Sequence, residues 1–345
     1  MAKTRVAVLF GGVSSEHEVS LMSATNVIRS IPKEKYEVIC IGITKKGRWL
    51  YFPGDVSEIA SGAWETNPDC TAAIISPDPI HKGIITIENG ETYNKKIDVV
   101  FPVLHGRNGE DGRLQGLLEL AKLPYVGCGT LSSALCMDKS ITKEMFRCYH
   151  VPTPAGITVR SEEELILPED FTYPCMVKTC CGGSSVGVYR VENEDELHVA
   201  LKEAFTYEDH VIIEKCIIGR EFSIAVVEGK ALPVIEIAPL TGFYDYKNKY
   251  QAGSTIETCP ADLPSEVAKR MQQHAEEACA AVSIQSYARV DFMLDTVTME
   301  DYALEVNTLP GMTPTSLMPQ EAQALGLSFD DLCEWILAVS LKKYK

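Results

Sequence analysis

Two short apolar stretches near the carboxyl end carry the residues best suited to chemistry. Tyr287-Ala288-Arg289-Val290-Asp291 and Leu304-Glu305-Val306-Asn307 each set two polar residues two apart, a spacing that puts both on one face of a strand. If the two stretches pair through Asp295 to Asp301, Asp291, Glu305 and Asn307 meet as hard oxygen donors, the set that suits Mg²⁺ bridging phosphates. Arg289 would lie beside them. The competing reading is a salt-bridged sheet face in which Arg289 neutralises one carboxylate; Asn307 argues against it, because charge pairing needs no neutral carboxamide.

Directly after the second stretch comes Thr308-Leu309-Pro310-Gly311-Met312-Thr313. A Pro-Gly step at a strand end exposes backbone N–H groups that can stabilise an oxyanion if held in place before reaction, although Pro-Gly is also an ordinary turn. Lys178-Thr179-Cys180-Cys181-Gly182-Gly183-Ser184-Ser185-Val186-Gly187 reads as a hairpin tip. Its glycines let backbone N–H groups approach a polyphosphate, and the lysine adds a compact cation. The order is not that of GxxxxGK[ST], and the spacing suits a plain Gly-Ser surface hairpin equally well. Tyr244-Asp245-Tyr246-Lys247-Asn248-Lys249-Tyr250 fits neither a helix face nor a strand face; it reads as a loop that can close to exclude water or as a tyrosine-rich surface loop.

The elements that must position these groups alternate. Arg5 to Phe10 is an apolar run ending at Gly11-Gly12, Val19 to Ile31 has helical spacing, and Val38 to Ile43 and Ile97 to Leu104 read as further strands. Such alternation favours an open α/β sheet, in which ligands gather beyond the carboxyl ends of strands. Gly11-Gly12 and His105-Gly106 are at such ends. Ser57 to Thr92 is polar and proline-interrupted, and reads as a surface excursion without chemistry of its own. Gly127-Cys128-Gly129 precedes a helical stretch, Leu131 to Tyr149; short strands then flank the glycine loop. From about Ile218 come strands, a helix at Pro264 to Val282, more strands and a last helix at Phe329 to Lys342.

The 345 residues, 46% hydrophobic, can bury a large core in two or three domains. A net charge of −16 repels nucleic acid and anionic lipid. The run from Val6 to Phe10 is too short for a signal-peptide core and no stretch of about 18 apolar residues exists, so a cytoplasmic protein without a membrane span is expected. Twelve cysteines are then expected as free thiols, and with no CxxC pair a structural zinc site is not expected.

Taken in order along the chain, these segments resemble the D-alanine–D-alanine ligases of the ATP-grasp superfamily. The landmarks are Phe10-Gly11-Gly12 with Ser15-Glu16-His17-Glu18-Val19-Ser20, His105-Gly106-Arg107-Asn108-Gly109-Glu110-Asp111-Gly112, and Met137-Asp138-Lys139. They continue through Gly183-Ser184-Ser185-Val186-Gly187, Tyr244-Asp245-Tyr246 with Lys249-Tyr250, Arg289-Val290-Asp291, and Glu305-Val306-Asn307 to Thr313. The glycine loop departs from the family pattern, which has Pro after the lysine and an Arg nearby.

The resemblance implies an α/β and α+β ATP-grasp fold: an N-terminal open parallel α/β domain over 1–128, then two domains that sandwich ATP, a central one over 129–217 and a catalytic one over 218–345. It implies that ATP phosphorylates one D-alanine carboxylate and that a second D-alanine amine attacks the acylphosphate. Lys139, Lys178 and Ser185 would hold ATP phosphates. Glu214, Lys215 and Ile217 would meet adenine, and Glu221 the ribose. Asp291, Glu305 and Asn307 would ligate two Mg²⁺ or Mn²⁺. Glu16, held with Ser184 and Tyr250, would anchor the first ammonium beside His105, and Arg289 with the Gly311 N–H would stabilise the oxyanion. Ser316 and Leu317 would receive the second carboxylate, and Lys249 the transferred phosphate. D-serine is the alternative second substrate. Another ATP-grasp carboxylate–amine ligase and a nucleotide-binding protein without turnover are the rival readings. The family is commonly dimeric; the sequence itself gives no oligomeric state.

Overall fold

The computed structural model describes residues 3–183, 186–239 and 255–344. Ser184, Ser185 and the stretch holding Lys249 and Tyr250 lie outside the described residues.

The first sheet is built on β1 (Thr4–Gly11), whose residues Val6 to Phe10 are wholly buried, as a strand covered on both faces requires. It pairs in parallel with β2 (Tyr36–Ile43) and β7 (Val99–Leu104). Beyond β2 the sheet continues antiparallel through β3 (Trp49–Phe52), β4 (Thr71–Ile75), β5 (Gly83–Glu88) and β6 (Glu91–Lys96). The sheet expected to be open and parallel is therefore parallel only at β2-β1-β7 and antiparallel over its other half.

The Ser57 to Thr92 excursion is corrected by the same observation. It supplies two strands of this sheet, the short helix α2 (Ser57–Ser61) and a fully buried Trp64, whose ring meets Phe10 edge-on at 5.0 Å. Gly42 has no side chain because Trp64 occupies the place: a Cβ there would sit 2.1 Å from the indole. The tryptophan contributes burial that its polar neighbours hid from a window average.

Helix α1 (His17–Ser30) follows β1 through Gly11 and Gly12, both at positive φ. At Gly11 a Cβ would come within 2.2 Å of the Ile43 carbonyl oxygen, so only glycine allows the turn that leaves Glu16 at the amino end of α1. Helix α3 (Arg113–Leu120) follows the loop after β7. The helical stretch expected over Leu131 to Tyr149 divides into α4 (Thr130–Met137) and α5 (Lys139–Cys148), because Asp138 is extended and caps α5, accepting from the Ser140 and Ile141 N–H groups.

The second sheet has the order β10-β9-β11-β8, from β8 (Gly156–Val159), β9 (Cys175–Thr179), β10 (Val188–Val191) and β11 (Val211–Lys215). Helix α6 (Glu194–Ala204) packs its buried Leu197, Ala200 and Leu201 against this sheet. Strands β9 and β10 are antiparallel with Val188 opposite Lys178, the hairpin expected around the glycine loop.

The third sheet joins β12 (Gly219–Val227), β13 (Lys230–Ala231), β14 (Ile235–Pro239), β15 (Thr255–Thr258), β16 (Tyr287–Asp295) and β17 (Asp301–Asn307). Helix α7 (Ser265–Ala281) buries Val267, Met271, Ala275 and Ala278 against Phe222, Ile224 and Phe292. Helix α8 (Leu317–Ala324) and helix α9 (Phe329–Lys342), the latter with a Ser328–Asp331 capping box, carry the core back to α1 and β1. That last contact sets the N-terminal sheet beside the third one.

Candidate active site

The two C-terminal stretches pair as expected. Across β16 and β17, Arg289 lies opposite Asn307 and Asp291 opposite Glu305, so the four side chains share a face. The Asp291 carboxylate takes four hydrogen bonds. Arg289 donates Nε–H to Oδ1 at 2.9 Å and a terminal N–H to Oδ2 at 2.8 Å, Asn307 donates to Oδ2 at 2.9 Å, and Ser223 on β12 donates to Oδ1 at 2.6 Å. The charge pairing weighed as the alternative for this face is thus real, and it coexists with the convergence of the oxygen donors. Asn307 spends its amide hydrogen on Asp291 and keeps its carbonyl oxygen for another partner. Glu305 and the Asn307 carbonyl oxygen on this face suit a hard divalent cation, and Asp291 joins them only by exchanging one of its four hydrogen bonds.

Lys139 joins this face to the glycine tip. Its Nζ donates to the Gly182 carbonyl at 2.7 Å and lies 3.2 Å from Glu305 Oε2. Burial would lower its pKa, but Glu305 outweighs that and holds it above the ordinary lysine value. The ammonium is therefore charged where a phosphate would need it.

At the opposite wall, β1 and β7 end side by side and deliver Glu16 and His105. The Glu16 carboxylate sits against two glycines: a Cβ on Gly106 would come within 3.1 Å of Oε2 and one on Gly183 within 3.3 Å. His105 is buried, with Nδ1 3.1 Å from the Leu309 carbonyl oxygen and Nε2 3.4 Å from Ser23 Oγ. Burial, more than any neighbour, lowers its pKa and keeps the ring neutral. Because Ser23 Oγ also accepts from the Met312 N–H at 3.4 Å, helix α1, the end of β7 and the irregular Pro310-to-Met312 segment are tied together.

That segment carries Gly311, and the turn from Thr313 to Ser316, closed by the Ser316 N–H donating to the Thr313 carbonyl at 2.9 Å, places Ser316 at the amino end of α8 with its Oγ 2.8 Å from Thr313 Oγ1. Unpaired N–H groups and the positive end of the helix dipole at that position favour a carboxylate. A cavity of about 610 Å³ opens between these walls. Glu16, His105, Lys139, Arg289, Glu305, Asn307, Gly311, Ser316 and Leu317 all line it, together with Gly182 and Gly183.

Six expected residues, Asp291 among them, stand apart from that lining. Lys178 and Glu214 face each other from β9 and β11 at 2.6 Å, and the buried Lys143 of α5 lies 2.8 Å from the same carboxylate. Burial pushes the Glu214 pKa up, but Lys143 and then Lys178 outweigh it and hold the carboxyl well below its ordinary range. Its carboxylate is thus committed to two ammonium groups. Lys215 is exposed, Ile217 is buried and Glu221 is half-buried on β12. Asp291 lies behind Arg289 and Asn307 and does not line the cavity.

Sequence reasoning assigned no role to Glu110, Glu257 or Lys143. Glu110 lines the cavity and accepts from the Gly106 N–H at 2.9 Å; burial, then the charge of Glu16, raises its pKa to about 8. Its signal was present in the His105 to Gly112 stretch, an acid five residues beyond the histidine. Glu257 enters from β15, and burial raises its pKa too. Lys143 had no signal, since its partner is 71 positions away in sequence.

An α/β N-terminal unit and two further sheets, set around one cavity with a glycine hairpin at its edge, define an ATP-grasp protein. The family description "D-ala D-ala ligase N-terminus" matches residues 5–128 and "D-ala D-ala ligase C-terminus" matches residues 151–338. The D-alanine–D-alanine ligase of Thermoanaerobacter pseudethanolicus is 44% identical, the match covering 100% of this chain and 98% of that relative. Among solved structures, the VanG D-Ala:D-Ser ligase from Enterococcus faecalis superposes with a TM-score of 0.89 at 36% identity, covering 98% of this chain and 100% of the other. The Bacillus anthracis D-alanine–D-alanine ligase complexed with ATP superposes with a TM-score of 0.74 at 32% identity, covering 99% and 98%. The chain belongs to the D-alanine–D-alanine ligase family.

Proposed function

We propose that this protein is an ATP-dependent ligase that joins two molecules of D-alanine. The terminal phosphoryl group of ATP passes to the carboxylate of the first D-alanine, giving a D-alanyl phosphate and ADP. The amine of the second attacks the acyl carbon, and the C–N bond forms as inorganic phosphate leaves. The observation that carries this reading is the enclosure of both ends of such a reaction in one cavity, with the Lys139–Glu305 contact at one wall and Glu16 with the amino end of α8 at the others.

Glu16 offers a carboxylate to the first ammonium. Lys139 and Lys178 offer cations to phosphates, and Ser185, outside the described residues, belongs to the same glycine tip. Arg289 and the Gly311 N–H, both at the cavity wall, would stabilise the tetrahedral oxyanion as donors held before the reaction begins. Ser316 and Leu317 receive the second carboxylate. Asp291, Glu305 and Asn307 would hold two Mg²⁺ or Mn²⁺ ions, which supply neutralisation of the phosphate charge during transfer. Glu214 is proposed to act at the nucleotide by fixing Lys178, with Lys215, Ile217 and Glu221 along the same edge. Ser184, Tyr250 and Lys249 complete the proposed set from outside the described residues.

The division into 1–128, 129–217 and 218–345 is part of this reading. So are a dimeric assembly, a cytoplasmic location and use of the dipeptide in peptidoglycan synthesis. Among the described residues no helix is long and apolar enough to cross a membrane. A second reading, with D-serine as the second substrate, draws on the likeness to the VanG D-Ala:D-Ser ligase. Incubation with ATP, Mg²⁺ and D-alanine, with D-serine or D-lactate added in turn, separates the readings by product mass. D-alanyl-D-alanine as the main product with ADP formed is the expected result, and a mixed D-alanyl-D-serine product favours the second reading. ATP binding with no phosphate release would overturn both in favour of a nucleotide-binding protein without turnover.

A further inference from the structure

The residues in which this chain departs from its family pattern lie beside a cluster that the ligase reaction does not use. Asp138 precedes α5, Cys180 follows β9 and His210 precedes β11, and one carboxylate oxygen, the thiol sulfur and one ring nitrogen all lie within 4.8 Å of one another. The three come from separate elements, so the fold and not local sequence brings them together.

Hydrogen bonds hold two of these groups in place, and a cation could replace the proton that Asp138 and His210 share. Asp138 divides its oxygens: Oδ1 accepts from the Ser140 N–H at 2.9 Å and its hydroxyl at 2.6 Å, while Oδ2 turns to His210 Nε2 at 3.0 Å. His210 Nδ1 lies 2.6 Å from Asp209 Oδ1. Burial would lower the His210 pKa, but Asp209 and Asp138 outweigh it and raise it, so each ring nitrogen donates a proton to a carboxylate; a cation takes the Nε2 place when that proton leaves, with Asp209 still holding Nδ1–H as a carboxylate supports a metal-bound histidine. Cys180 is wholly buried, and Cys181 beside it is fixed through its N–H to Glu208 Oε2 at 2.7 Å. Sulfur, imidazole nitrogen and carboxylate oxygen together select a thiophilic ion over Mg²⁺.

We propose that Asp138, Cys180 and His210 form a binding site for a thiophilic divalent cation of the zinc class, separate from the hard-donor face of Asp291, Glu305 and Asn307. Coordination breaks the Cys180 S–H and the His210 Nε2–H bonds and releases both protons to solvent; no electron is transferred. The bound ion cross-links the start of α5, the end of β9 and the start of β11. Lys139 and Gly182 are neighbours of two of these ligands, and the Lys139 N–H already donates to the Cys180 carbonyl at 2.9 Å. The ion therefore stiffens the base of the glycine tip, and its occupancy reaches the nucleotide side of the cavity through that link.

The test uses the full-length protein without nucleotide or Mg²⁺, titrated with CdCl₂ and followed by the ultraviolet thiolate-to-metal charge-transfer band. A thiolate band reports sulfur ligation alone, so occupancy of the Glu305 face does not contribute. One saturating equivalent is expected, lost in Cys180→Ser and in His210→Gln and kept when the exposed Cys148 is changed to Ser. Asp209→Asn is expected to weaken binding by about 10- to 100-fold without removing the band. No band in the wild type, an undiminished band in Cys180→Ser, or loss of the band in Cys148→Ser overturns the proposal. X-ray absorption of the Zn²⁺-loaded wild type needs no variant. One sulfur at about 2.3 Å with nitrogen or oxygen at about 2.0–2.2 Å is expected, and a shell without sulfur refutes the assignment. Neither measurement depends on ligase turnover.

Discussion

Lys139 at the start of α5 and Glu305 near the end of β17 meet at 3.2 Å between Nζ and Oε2, although 166 positions separate them in sequence. This single ion pair ties the glycine tip to the acidic sheet face, because the same Nζ also donates to the Gly182 carbonyl. It places a charged ammonium and a candidate metal ligand at one point of the cavity wall.

Glu305→Gln keeps the side-chain volume and removes the charge. Turnover is expected to fall by at least about 10²-fold, since metal-bound charge stabilisation is worth several kcal/mol. Phosphate release with ATP, Mg²⁺ and D-alanine reads it, with circular dichroism as the check on folding. Undiminished turnover would remove Glu305 from the metal assignment.

Arg289→Lys keeps a positive charge but loses the two-pronged contact with Asp291, whose two bonds measure 2.9 and 2.8 Å. A lysine cannot reproduce that fork. The expected loss is about 10²- to 10³-fold in kcat, the scale of removing one oxyanion donor. A rise confined to KM would instead mean that Arg289 serves substrate binding alone.

Glu214→Gln leaves Lys143 buried without its carboxylate. Breaking a buried pair in this way costs about 3–5 kcal/mol, measurable as a lower midpoint in urea unfolding. Lys178→Met should cost less, because Glu214 would still face Lys143 at 2.8 Å. Equal losses in the two variants would contradict the central place of Glu214.

Glu110 provides a pH signature. Its folded pKa of about 8 lies above the unfolded value, so the neutral acid's contribution is complete below the unfolded pKa and is lost as pH rises toward 8. Glu110→Gln lacks that dependence. Without nucleotide and Mg²⁺, the variant's Tm relative to wild type should rise between pH 5 and pH 8.5, by an amount of up to about 4 kcal/mol in stability. A difference that stays flat across this range would show that the carboxyl is not held neutral.

The sequence alone determined the elements with strong local signals. The apolar run of β1, the period-two pairs of β16 and β17 and the Phe329–Lys342 helix are written in neighbouring residues, and the ordered landmarks identified the family; the turn after β17 is at Thr313 to Ser316 and not at Pro310-Gly311. Tertiary structure alone decided three things. It showed that Trp64 is core, because the Gly42 that accommodates it is 22 residues away. It showed that Glu214 is bound to Lys143 as well as Lys178, and that Asp138, Cys180 and His210 converge. Periodicity reports which face a side chain takes within its own element; which distant element covers that face depends on how sheets and helices pack, and the electrostatics of a buried group follow from that packing.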